Sequence, residues 1–400
     1  MTTHHASFRR MGAPALDVAL QDARRQTLAL FDALAGAGYD GPARVPRLAI
    51  LNPPLWELGH VSWFAEWFVL REAASSAPGA ARGPSLLESG DRWFDSNTVV
   101  HASRWALDLP APSVIKQYCG DVLDRIRERL ARTPHDDAAL YPLRLALAHE
   151  DMHGEALLYT LQTLGAAAPA SFPAVEQARA ASGEIAFGAA RFLRGGEQAR
   201  GFVFDNERQA AVCALGPFAI DARLVSNAAY LAFMGDGGYA CPAYWSAAGQ
   251  AWLKESERAA PRYWQREAAS TDWHTLEFGS RVALDPAAPV RHVSLYEAEA
   301  YCRWAGRRLP REDEWEVAAT SNPPGFHWGQ LWEWTASPFE PYAGFTADRY
   351  REYSAPSFGS CQTLRGASFA TPARLRSPHF RNFYRPWRDD MFVGFRTCAL

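Results

Sequence analysis

The stretch His149-Glu150-Asp151-Met152-His153 lies in a segment, Leu140 to Leu164, whose apolar residues recur at helical spacing. On a helix, side chains four residues apart leave the same face, one turn apart. Two neutral imidazoles placed that way are half of a transition-metal site. The same letters also spell H-E-x-x-H, the pattern of zinc proteases, in which Glu150 would be the general base. Both readings require a helix here. A third ligand from elsewhere in the chain has to decide between them.

Working outward from this helix, the amino-terminal part reads as helical throughout. Ala15 to Leu34 carries apolar positions at helical spacing, and Pro53-Pro54 opens a second helix running through Leu70. The Gly/Ala/Pro/Ser-rich stretch Ala73 to Pro84 is expected to be a loop. Ser113 to Leu130 is a third amphipathic helix, and Asp137 to Leu164 the fourth, stopping at Gly165. Four helices with one long connection imply a bundle, a scaffold that builds metal sites from facing side chains.

The character changes at Ala166. Residues 166–181 are Ala/Pro-rich and read as a linker. Beyond them come short strand-like runs, frequent Gly and Pro, and dense aromatics. A helix from Ser294 to Ala305 is announced by a capping box, Ser294 with Glu297. Leu309-Pro310-Arg311 breaks the chain, and Glu312 to Ala319 reads as another short helix. The expected organisation is α+β: a helical bundle over 1–165, a linker over 166–181 and an irregular domain over 182–400.

Composition excludes several function classes. A chain of 400 residues exceeds one ordinary core, so two domains are expected. The formal charge of −3 gives no pull towards nucleic acid or anionic membrane. No apolar run is long enough to span a bilayer, and the polar, basic start lacks the apolar core of a signal peptide. The six cysteines are scattered, with no C-x-x-C pair, which points to reduced thiols in a cytoplasmic protein. Fifteen tryptophans suit an irregular fold with aromatic anchors, or a pocket for a cation.

The best-placed third ligand is His60, on the second helix in Trp56-Glu57-Leu58-Gly59-His60-Val61-Ser62-Trp63-Phe64. Its aromatic neighbours would exclude water, and Gly59 would admit a close helix approach. His101, in a loop, and His135, before the fourth helix, are the other choices. A zinc protease needs a further ligand downstream of His153, and the sequence there gives way to the linker without one. Three neutral histidines suit a redox metal with positions left open for substrate and O2. Glu155 falls about 120° around the helix from His149 and reads as a supporting residue, not a ligand. Glu150 then has no protease role.

The carboxy-terminal half interleaves arginine with aromatics. Such a pattern can bind single-stranded nucleic acid, but the acidic balance and Asp389-Asp390 oppose that reading. An irregular domain pinned by buried aromatics and arginine ion pairs accounts for most of these residues. Their order is more specific. Pro289-Val290-Arg291-His292-Val293-Ser294, Ala298-Glu299-Ala300-Tyr301-Cys302-Arg303-Trp304, Arg308-Leu309-Pro310-Arg311-Glu312-Asp313-Glu314-Trp315-Glu316, Trp332-Glu333-Trp334-Thr335, Arg365-Gly366-Ala367-Ser368-Phe369 and Gly394-Phe395-Arg396 together resemble the formylglycine-generating-enzyme-like fold. That fold is C-type-lectin-like. The first 165 residues resemble the DinB-like four-helix bundle. The combination resembles the EgtB family, the non-haem iron sulfoxide synthases of ergothioneine biosynthesis, over nearly the whole chain.

This resemblance implies Fe(II) held by His60, His149 and His153, with O2 as co-substrate and hercynine (trimethylhistidine) as acceptor. It implies that Tyr350 serves the O2 chemistry as a proton or electron donor and that Tyr353 touches hercynine. Asn382 would bind the hercynine carboxylate, and Phe383 would face the quaternary ammonium, a favoured cation–π arrangement. Where family members that use γ-glutamylcysteine carry an Asp for the donor's amine, this chain has Tyr384. Arg92 and Arg104 are candidates for holding the donor. The ending Tyr384-Arg385-Pro386-Trp387-Arg388-Asp389-Asp390-Met391-Phe392-Val393-Gly394-Phe395-Arg396-Thr397-Cys398 resembles the SenA selenoneine synthase branch, which joins hercynine to a selenosugar. The alternatives are a synthase using cysteine or γ-glutamylcysteine, and a non-catalytic ligand-binding module.

Overall fold

The computed structural model describes residues 7–170, 172, 183–196, 201–267 and 270–400. Most of the expected linker, 171 and 173–181, lies outside the described residues. Helix α1 (Ala13–Gly36), α2 (Pro54–Ala65), the short α3 (Gly90–Phe94), α4 (Pro112–Leu130) and α5 (Asp137–Leu164) make up the amino-terminal part. Four of them form a bundle in which α1 packs on α5 and α4, and α2 on α4 and α5. Its core includes Leu16, Leu20, Phe31, Leu58, Ile115, Val122 and Leu147, each at most 2% exposed. Asp136 caps α5 by accepting a hydrogen bond from the Ala139 N–H, and Gly165 ends the helix in the left-handed conformation.

The second helix departs from expectation at its end. It does not run to Leu70 as α-helix but widens into a π turn over Glu66–Leu70. The turn starts at Glu66, a fully buried carboxylate. That carboxylate accepts hydrogen bonds from the Tyr118 hydroxyl (2.5 Å), Ser85 Oγ (2.9 Å) and the Leu86 N–H (2.6 Å). Widened turns of this kind often sit beside functional sites.

The carboxy-terminal part holds eleven short strands among its described residues. They are β1 (Glu184–Phe187), β2 (Ala190–Arg194), β3 (Ala211–Leu215), β4 (Phe218–Asp221), β5 (Trp264–Gln265), β6 (His274–Glu277), β7 (Ser280–Ala283), β8 (Trp332–Pro338), β9 (Gln362–Gly366), β10 (Asn382–Tyr384) and β11 (Val393–Gly394). The largest sheet runs β10-β9-β8-β11, with β11 parallel to β8 and the other pairs antiparallel. Helices α6 (Asn227–Gly235), α7 (Ala247–Ser256), α8 (Leu295–Trp304) and α9 (Glu312–Ser321) lie among the strands. The capping box at Ser294 and Glu297 is present on α8. Helices α6 and α7 correct the sequence reading, which left those segments irregular. Each is about ten residues or fewer, too short for a periodic signal, and each is started by a serine cap, Ser226 and Ser246.

The two parts meet along α5. Glu155 accepts from Trp332 Nε1 (2.8 Å), Ser368 Oγ (2.5 Å) and Thr371 Oγ1 (2.7 Å). Asp151 holds Arg374 through two bonds (2.6 and 2.8 Å), and Arg374 also reaches Asp22 on α1 (2.7 Å). At the end of α5 the Gln162 amide donates to the Leu276 carbonyl and accepts from the Phe278 N–H, both at 2.8 Å. Gly279 there has φ +79°, and a Cβ would sit 2.2 Å from the Gly165 carbonyl oxygen. Only glycine allows the hairpin to close on the helix end. Among the described residues no helix is long and apolar enough to cross a membrane, and all six cysteines are free thiols.

Candidate metal centre and substrate pocket

Helix α2 brings His60 against the α5 pair. One ring nitrogen from each of His60, His149 and His153 can be chosen so that all lie within 4.8 Å of one another. The ring centroids are 4.5 Å apart for His149–His153 and 5.1 Å for each pair with His60. The hydrogen bonds at the other nitrogens orient two of the rings. His60 Nδ1–H donates to the Phe94 carbonyl (2.8 Å), and His153 Nδ1–H donates to Glu57 Oε1 (2.7 Å). Each bond leaves Nε2 as the ring nitrogen available to a metal. A carboxylate behind a ligand histidine fixes its tautomer and raises its basicity. His149 is different. Both of its ring nitrogens are buried, with no hydrogen-bond partner among the described residues, and its ring stacks on Phe64 at 3.6 Å.

A buried imidazole without partners costs free energy unless something else satisfies it. Burial, reinforced by the neighbouring histidines, pushes the His60 and His149 imidazoles well below their ordinary value. Both are therefore neutral near pH 7, the form that ligates. The donor set fits a divalent transition metal bound by three imidazoles on one face, leaving other positions open.

The acidic residues of the same stretch face elsewhere. Glu150 pairs with Arg24 (2.7 and 3.1 Å), and Arg24 also binds Ser62 Oγ and the Cys119 carbonyl. Held there, Glu150 cannot act as a protease base beside the histidines. Glu155 bonds to the carboxy-terminal part, as described, and is no ligand. Gly59 admits the close approach of α3: the Phe94 ring fills the space, 2.3 Å from where a Cβ would stand. The aromatic wall around His60 is real, with Trp56 stacked at 4.8 Å. His101 instead bonds the Leu51 carbonyl, and His135 lines a separate cleft of the bundle.

The structure brings most of the remaining sequence-predicted residues into one connected wall. Tyr350 lies edge-on to His149 at 5.9 Å and to Phe64 at 4.9 Å. Tyr353 follows at 5.8 Å from Tyr350, and its hydroxyl donates to Met152 Sδ at 3.7 Å, between His149 and His153 in sequence. Phe383 meets Tyr353 edge-on at 5.6 Å and stacks on Phe339 at 4.2 Å. Asn382, beside it on β10, uses its side-chain oxygen to accept from the Phe383 N–H (2.9 Å). Burial pushes the Tyr350 and Tyr384 phenols up to about 12, so both keep their protons at neutral pH. Tyr384 neighbours Tyr159 and lies 5.1 Å from the Arg388 guanidinium, which is locked to Asp390.

Several residues escaped sequence reasoning. Glu57 is one turn before His60 on α2, and that spacing was the available signal. Phe64 as the stacking partner of His149, Tyr159 beside Tyr384, and Phe204 stacked on Tyr353 at 4.9 Å arise from long-range packing and left no local signal. Of the two donor candidates, Arg92 is exposed on α3. The Arg104 guanidinium sits over the Trp56 ring at 3.7 Å, bonds Asn52 Oδ1 (2.6 Å), and is pushed down to about 10 by burial.

An α+β protein with a three-histidine centre in its helical bundle, faced by aromatics of the carboxy-terminal part, is the class that fold and site define. Comparison with known proteins narrows it. A family model for the sulfatase-modifying factor enzyme 1-like domain matches residues 175–330. The hercynine oxygenase of Mycolicibacterium thermoresistibile is 32% identical, over 95% of this chain and 93% of that protein. The hercynine oxygenase of Mycolicibacterium smegmatis is 31% identical, over 87% and 91%. The formylglycine-generating enzyme of Thermomonospora curvata is 34% identical over 39% of the chain and 58% of that enzyme. The chain belongs to the hercynine oxygenase (EgtB-like) family and is an oxidoreductase, with a formylglycine-generating-enzyme-like carboxy-terminal domain.

Proposed function

We propose that this protein is an Fe(II)- and O2-dependent enzyme that joins a chalcogen donor to the imidazole of hercynine. The observation that carries the reading is the buried, unpartnered His149 facing His60 and His153 within 4.8 Å. The iron would supply activation of O2 and a position for the soft sulfur or selenium atom of the donor. The chain's own residues do the rest. His60, His149 and His153 hold the metal, with Glu57 fixing His153. The wall of Tyr350, Tyr353 and Phe383 excludes water, and Phe383 offers its π-face to a quaternary ammonium, worth roughly 0.5–2 kcal/mol. Asn382 has amide protons for the hercynine carboxylate. Tyr350, protonated at neutral pH and beside His149, holds a proton for the O2 chemistry.

The division of labour is a bundle over 1–165 that carries the ligands and a domain over 182–400 that carries the pocket, in a cytoplasmic enzyme. For the donor, the reading is a neutral selenosugar. Tyr384, with Tyr159 and the neutralised Arg388–Asp390 pair, offers hydroxyls rather than a free carboxylate for an amine. Cysteine or γ-glutamylcysteine would find no free carboxylate at that position. The test gives the enzyme hercynine with selenosugar, cysteine and γ-glutamylcysteine in competition and identifies products by mass. A selenium-containing hercynine adduct is expected. A clear preference for γ-glutamylcysteine would sink the donor assignment, and no product from any donor would favour a non-catalytic binder.

A further inference from the structure

The loop after α2 crosses to the segment that carries Tyr350. Ser76 in this loop is 4% exposed. Its N–H donates to the Arg349 carbonyl (2.9 Å), and its hydroxyl oxygen accepts from the Arg351 N–H (3.2 Å). One residue of the bundle part therefore grips the backbone immediately before and immediately after Tyr350. Ser76 is itself held: its carbonyl accepts from Asn97 Nδ2 (3.2 Å), and the preceding Ser75 carbonyl accepts from Trp67 Nε1 (3.0 Å). Tyr350 lies in a turn, outside every strand and helix. No sheet ladder fixes it there, so side contacts must set where its ring points.

We propose that Ser76 is a positioning residue that holds the Tyr350 hydroxyl at the metal centre through the two flanking peptide groups. A serine suits the place because a small side chain fits the buried loop while its oxygen accepts the Arg351 N–H. Ser76 touches neither ligand histidine nor substrate pocket directly, so its effect must pass through Tyr350. The proposal rests on the assignment of Tyr350 as proton donor, and the two can fail separately.

The test compares wild type, Ser76→Ala, Tyr350→Phe and the double variant. In the metal-free protein, amide exchange at Arg351 should quicken about tenfold in Ser76→Ala, since its acceptor is gone. In turnover, Ser76→Ala should lower kcat about tenfold with hercynine KM within about twofold, because small displacements of a reacting group are costly. In the double variant, Ser76→Ala should add nothing to the loss from Tyr350→Phe. Equal losses from Ser76→Ala in both backgrounds, or unchanged Arg351 exchange, would overturn the proposal. Wild-type turnover in Tyr350→Phe would overturn the Tyr350 assignment and the proposal with it. If Tyr350→Phe is too slow to measure, the solvent deuterium isotope effect on Ser76→Ala decides: a rise supports the proposal and an unchanged value refutes it.

Discussion

The helical bundle and the carboxy-terminal domain solve the same problem, holding a polar site inside a protein, in opposite ways. The bundle gathers much of its buried polarity at the three histidines, at the Glu66 carboxylate and at Glu150–Arg24, which laces α1, α2, α4 and α5 together. The carboxy-terminal domain is stitched by buried Arg–Glu pairs. Arg365 meets Glu316, Arg381 meets Glu312 (2.8 and 3.0 Å), and Arg396 meets Glu333 (2.5 and 2.7 Å). All three arginines are at most 1% exposed. With strands of two to seven residues, regular ladders cannot order that domain alone, and these forked pairs fix where the segments cross. The lesson is that ligand geometry here is set by helix periodicity, and pocket geometry by ion pairs.

That contrast can be broken at its strongest point first. His149→Ala should abolish Fe(II) binding and turnover while the fold survives, read by metal content and circular dichroism. Glu316→Gln should leave Arg365 buried and uncompensated and cost roughly 3–5 kcal/mol in urea unfolding. Burial alone would raise the Glu316 carboxyl, but Arg365 overrides it and holds the group at about 2. Its stabilisation is therefore complete above pH 4.5 and is lost as pH falls through about 2, and Glu316→Gln should flatten that acid limb. Glu57→Gln should weaken iron about 10–100-fold with little change in stability, since it supports His153 and not the core. Asp136→Ala should cost only about 1 kcal/mol, the worth of a helix cap, and leave iron affinity intact.

The same contrast explains what the sequence revealed. The bundle helices, the stop at Gly165 and the placing of His149 and His153 on one helix face were legible, because an i,i+4 pair and a helical period are local. His60 could be chosen among the remaining histidines because a bundle puts facing helices beside α5. The carboxy-terminal fold was legible only as an ordered set of motifs. Glu312, Glu316, Glu333, Arg365 and Arg396 of those motifs turn out to belong to the buried pairs. What stayed hidden depended on distant chain segments meeting. Helices α6 and α7 were too short to show a period, the helix that packs at Gly59 is the five-residue α3 through its Phe94, and Phe64 covers His149. Glu66 could not be read as the buried anchor that accompanies the π turn ending α2.

The central claim is that His60, His149 and His153 together hold one reactive iron beside the hercynine pocket. Anaerobic Fe(II) titration, followed by NO with and without hercynine, tests it most directly. Wild type should bind iron stoichiometrically and give a nitrosyl spectrum that hercynine shifts, and His149→Ala should give none. An unchanged nitrosyl spectrum in His149→Ala, or one indifferent to hercynine in wild type, would contradict it.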